Sequence, residues 1–138
     1  MTVRVRRKLP DKPTLRRTEQ GYAGHFIAAK HCRFRRNTLL EYGETRIVVS
    51  TVGNMWLPRP GKTEAPQEVG LDRYYETMAF YAAYEDPYWE ADIGRQVDFD
   101  SRWSIGEITR SSDKDADEMH EAVVTEISQR MKAGELEP

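Results

Sequence analysis

Apolar and polar positions alternate through most of the chain and switch to a period of three and four only near the C-terminus. The clearest element is ETRIVVSTVG, residues 44–53, where Ile47, Val48, Val49, Thr51 and Val52 are β-branched and Gly43 and Gly53 bound the run. Branched side chains suit a pleated surface, so this stretch predicts a central strand. GYAGHFIAAKHCRF, residues 21–34, puts Phe26 and Ala28 on one side of an extended chain and Ile27 and Ala29 on the other, predicting a first strand that continues or turns into residues 32–40. In DRYYETMAFYAAYE, Leu71, Tyr75, Met78 and Ala82 fit a helical stripe, while Tyr75, Thr77, Ala79 and Tyr81 alternate as in a strand. The aromatic and Thr content favours the strand. EDPYWEADIG then reads as a turn anchored by Trp89. RQVDFDSRWSI reads as a further strand with Val97 and Phe99 inward and Asp98 and Asp100 outward.

Near the C-terminus, Ala116, Met119, Val123, Ile127 and Met131 repeat at three and four, and Gly134 follows. Ser112 and Asp115 resemble a capping box, and Asp113, Asp115, Asp117 and Glu118 stand where the helix dipole favours acids. Residues 57–70, with three prolines and two glycines, predict a long exposed loop. The expected fold is α+β: one small domain, an antiparallel sheet of four to six strands with one C-terminal α-helix packed on it, and a flexible basic N-terminal arm. The boundaries are residues 1–19 for the arm, 20–133 for the domain and 134–138 for a frayed tail.

The length of 138 residues agrees with one core, and neither an internal repeat nor a sustained heptad pattern interrupts it. No run approaches the roughly 18 apolar residues of a membrane span, and the basic N-terminus has no apolar stretch behind it to act as a secretory signal. A single cysteine, Cys32, excludes an internal disulfide and any two-cysteine zinc or redox motif. These features lead to a cytoplasmic expectation.

Charge changes the picture most. Residues 1–40 hold eleven Lys or Arg against two acids, a balance of +9, and residues 41–138 balance at −11. Such sorting suits a basic surface for a polyanion, or a basic segment folded against its own acidic half or a neighbour's. Within CRFRRNTLLEYG, an extended backbone sends Arg33 and Arg35 to one face about 6.7 Å apart, close to the spacing of successive phosphates, with Phe34 on the opposite, core face. Arg36 shares Phe34's side and is expected at the edge. The nucleic-acid candidates are Arg4, Arg6, Arg7, Lys8, Arg16, Arg17, Lys30, Arg33, Arg35 and Arg36.

The remaining constellations carry less. Gly-rich phosphate loops, dinucleotide fingerprints, zinc-protease and zinc-deaminase patterns and the nucleophile elbow are all missing. His31 and Cys32, as strand neighbours, face apart, and His25 shares no tight turn with them, so no metal or other cofactor is assigned. Asp98 and Asp100 on one sheet face, with Glu76 or Glu90, are the pattern of a divalent-cation site and equally of a polar strand face. Tyr74, Tyr75, Phe80, Tyr81, Tyr84, Tyr88 and Trp89 crowd sixteen residues. Tyr75, Phe80 and Trp89 are expected in the core, with Tyr74, Tyr84 and Tyr88 as candidate contact residues. The favoured function is non-catalytic binding of nucleic-acid phosphates. The alternatives are a protein-interaction module or regulator, including self-association of basic on acidic faces, and a small metal-dependent hydrolase.

Overall fold

The fold is seen in a computed structural model that describes residues 13–21, 25, 29–58, 60–61 and 64–138. Strands β1 (Arg16–Gln20), β2 (Cys32–Tyr42), β3 (Thr45–Met55), β4 (Tyr75–Glu85) and β5 (Tyr88–Val97) lie in that order in one antiparallel sheet. The short β6 (Ser104–Ile105) pairs with β4 beside the end of β5, and helix α1 (Ser112–Lys132) covers one face. The α+β class and the C-terminal helix on an antiparallel sheet are as expected.

Strand β3 is buried along nearly its whole length because both sheet faces are covered. On the helix face, Leu40, Ile47, Val49, Ala79 and Val97 pack against Val123, Val124, Ile127 and Met131, and Tyr75 and Ile105 pack against Ala116 and Met119. Gly53 lies opposite Tyr75, so close that a methyl group there would overlap the ring and stand 2.7 Å from the Tyr74 carbonyl. On the other face, Gln20 of β1 donates from Nε2 to the Trp89 carbonyl of β5 at 2.9 Å. Four strand spacings would hold β1 and β5 about 19 Å apart in a flat sheet. The sheet is therefore strongly curled, and its face away from α1 is concave.

A polar seam crosses the apolar contact between α1 and the sheet. His120 is fully buried, with Nε2 2.7 Å from Thr38 Oγ1 and Nδ1 2.7 Å from Thr51 Oγ1. Thr38 donates its hydroxyl proton to Glu19 at 2.9 Å, so it accepts from His120, whose proton is on Nε2. Nδ1 then accepts from Thr51, which in turn accepts from Thr77 at 2.6 Å. Every member is satisfied.

Several expectations change. Arg16 and Arg17, placed in the arm, belong to edge strand β1, which is held by backbone pairing with β2. Ala29–His31 form a 3-10 turn instead of part of a strand, and Phe26, Ile27 and Ala28 lie outside the described residues. The turn expected over residues 85–94 is confined to its start, because β5 begins at Tyr88; Trp89 is half-buried on it. Asp98 to Trp103 leave the sheet, drawn to α1 where Glu126 accepts the Asp100 and Ser101 backbone N–H groups and Arg130 donates to the Asp98 carbonyl. The capping box does not form: Ser112 is already helical and holds Thr109 N–H and the Glu107 carbonyl, while Ser111 caps without a side-chain bond. Gly134, at φ 72°, closes the helix with Glu135 N–H on the Arg130 carbonyl.

Candidate nucleic-acid interface

Alternation along β2 decides which cations stay open. Phe34, Arg36, Thr38 and Leu40 project toward α1, and Arg33, Arg35 and Asn37 project the other way. Phe34 packs edge-on to Tyr75, ring centres 5.9 Å apart, as a core residue. Arg36 does not escape at an edge. It lies under the acidic first half of α1, donating to Asp117 and Glu121 at 2.8 Å and to Glu19 at 3.0 Å. Arg17 joins it with paired bonds to Glu121 at 2.6 and 2.7 Å, plus Glu19. The hydrogen bonds from Arg17, against some loss of hydration, hold the Glu121 carboxyl down to about 2. For these two arginines the charge sorting is consumed within the chain.

Arg33 and Arg35 remain exposed, with no carboxylate in ion-pair distance among the described residues. Lys30, exposed in the preceding 3-10 turn, stands three residues before Arg33. Arg33 lies over the indole of Trp56, 4.0 Å from the ring centre. That indole is itself held, since its Nε1 donates to Asn54 Oδ1 at 2.6 Å and its backbone N–H to the His31 carbonyl at 2.9 Å. Asn54 has φ 54°, a left-handed conformation that Asn tolerates better than most residues. Two other Arg–Trp stacks, Arg46 on Trp89 and Arg73 on Trp103, have their cations tied to Glu41 and Glu76. Exposed Arg16 is six positions of β2 away from Arg35, about 20 Å. Arg4, Arg6, Arg7 and Lys8 lie outside the described residues.

The other constellations resolve separately. His25 is clasped on the concave face, Nδ1 2.8 Å from Ser50 Oγ and Nε2 3.0 Å from Glu76 Oε1, with Arg73 on the second Glu76 oxygen at 2.7 Å. Burial opposes the Glu76 charge, but the bonds to His25 and Arg73 win and keep its carboxyl below the ordinary range. This serine–histidine–carboxylate order resembles a nucleophile relay, yet Ser50 is fully buried and has no access to a substrate. Burial also raises the Cys32 thiol. A cleft of about 390 Å³ lies where β5 leaves β4, between Glu76 and Asp98, with Arg73, Gln96, Phe99 and Trp103 around it. Among the described residues, no three His, Cys, Asp or Glu side chains are grouped to hold a metal ion. Tyr74 is half-buried against Tyr75 and Ile105, whereas Tyr84 and Tyr88 are more than half exposed on the β4–β5 hairpin.

Trp56 and His120 are the residues that sequence reasoning passed over. His120 occupies the stripe of Ala116, Val123 and Ile127 and so was within reach of the helical period; nothing in the pattern marked Trp56. Among the described residues, no helix is long and apolar enough to cross a membrane. Compared with known proteins, the chain matches no family model, no curated protein and no solved structure.

Proposed function

We propose that the protein is a non-catalytic binder of nucleic-acid phosphates, using Lys30, Arg33 and Arg35 with the basic segment around Arg4, Arg6, Arg7 and Lys8. The observation that carries this reading is the exposure of Arg33 and Arg35 on one strand face without carboxylate partners among the described residues, beside two arginines of the same segment that are paired. Cations left uncompensated at phosphate spacing gain by releasing counterions from a polyanion. The test is fluorescence anisotropy of labelled single-stranded DNA, duplex DNA and RNA at about 50 and 200 mM salt. Three phosphate contacts give a log–log salt slope of about −2 on single strands, and each further cation that joins adds about −0.7. Arg33→Glu with Arg35→Glu is expected to abolish binding; retention in that variant excludes this face.

The exposure of Tyr84, Tyr88 and Ile93 along the β4–β5 hairpin favours a second reading, a protein contact there. Self-association through that hairpin is expected to be lost in Tyr84→Ser/Ile93→Ser by native mass measurement and, unlike basic-on-acidic assembly, to persist at high salt.

A further inference from the structure

Resting on the phosphate-binding reading, we infer that the Arg33–Trp56 pair is a stacking platform that makes the site selective for single-stranded nucleic acid. The guanidinium is over the indole at 4.0 Å with its side chain exposed, and the indole is anchored through Asn54 and the His31 carbonyl. An arginine confined in this way offers its outer side to a base, since bases stack on guanidinium planes as well as on aromatic rings. Arg35, two positions on along β2, then meets the next phosphate about 6.7 Å away. A duplex keeps its bases paired inside and reaches only the charges. Arg46 and Arg73, stacked on Trp89 and Trp103, are neutralised by Glu41 and Glu76, which leaves Arg33 as the one Trp-stacked arginine without a carboxylate partner among the described residues; Arg95, over Tyr81 at 4.4 Å, stands on β5 away from Arg35.

The test compares oligothymidylate and oligouridylate of about 12 nucleotides, a size small single-strand binders cover, with an abasic strand of the same length and with a duplex. Each is titrated with wild-type protein, Arg33→Lys and Trp56→Leu, all checked for folding by circular dichroism. Arg33→Lys keeps the charge and the fold but removes the planar group. Both variants are expected to bind the base-bearing strands about 5- to 100-fold more weakly, and for Arg33→Lys, which still offers a charge to phosphate, the loss on the abasic strand and the duplex is expected to be several-fold smaller than on the base-bearing strands. Equal DNA and RNA affinity places recognition on the bases; a preference for RNA adds a contact to the 2′-hydroxyl. Equal wild-type affinity for abasic and base-bearing strands, or no effect of Arg33→Lys, overturns the platform and leaves the phosphate reading standing. Absence of binding to every polymer at low salt overturns both.

Discussion

His120 makes the stability of the fold depend on pH in a window where few other groups act. Burial between α1 and the sheet, reinforced by the nearby Arg36 charge, pushes its pKa down to about 3, against weaker pulls upward from Glu19 and Glu121. In the unfolded chain the ordinary value is about 6.5. Below that pH the unfolded chain takes up a proton that the folded protein refuses. Its contribution is therefore complete above about pH 6.5 and is lost progressively as pH falls toward 3. Linkage gives a loss of about 0.7 kcal/mol from pH 7 to 6 and about 2 kcal/mol from pH 7 to 5. These figures hold for any folded value below about 4.5. Glu121, also perturbed, is partly exposed, and its weaker, screened contribution is lost only as pH falls below about 4.5. The assay is urea unfolding at pH 7, 6 and 5 of wild type and His120→Gln, both of which retain His25 and His31. The wild type is expected to lose about 2 kcal/mol more than the variant across this range. Parallel losses in the two proteins would refute the assignment of a neutral, proton-refusing His120.

Other outcomes follow from packing and charge. Gly53→Ala drives a methyl group into Tyr75 and the Tyr74 carbonyl, and is expected to cost about 2–3 kcal/mol in urea unfolding; a change under about 0.5 would show that β3 and β4 can part there. Ile127→Ala, at a fully buried position of the main core, is expected to cost about 2–4 kcal/mol by the same measurement. Arg36→Ala is expected to cost about 1 kcal/mol at low ionic strength and less in about 1 M salt. Because Arg17 and Arg36 share Glu19 and Glu121, their double-mutant cycle is expected to depart from additivity by about 0.5 kcal/mol or more.

What the chain disclosed about itself depended on whether side chains or backbone held each element. Strand β3 and the buried stripe of α1 were legible because their apolar side chains do the packing. Strand β4 was legible through Tyr75, Thr77 and Ala79, which alternate toward the helix. Strand β1 is RRTEQ, largely exposed and joined to β2 by backbone pairing, so no hydrophobic period records it. The Ser112 cap was misplaced by one residue because its hydroxyl is engaged by the preceding loop. In the candidate site, the opposed faces of Phe34 and its flanking arginines followed from the two-residue period alone. The capture of Arg17 and Arg36 did not, since it requires knowing which face lies beneath α1. Trp56 is held beneath Arg33 by its bond to the left-handed Asn54 and a long-range backbone bond, neither of which leaves a local pattern.

The ion pairs that fasten α1 to the sheet also give the protein a history. Arg36 precedes Glu121 by 85 residues and Arg17 precedes it by 104. At ribosomal speeds of about 5–20 residues per second, several seconds separate the emergence of these cations from that of their partner. During that interval Glu19 is the one carboxylate of the later network that a nascent chain can set against Arg17 and Arg36. Arrival of the last helix brings the Asp117 and Glu121 carboxylates onto them, so the segment made last is the one that turns two open cations into fasteners of the finished fold.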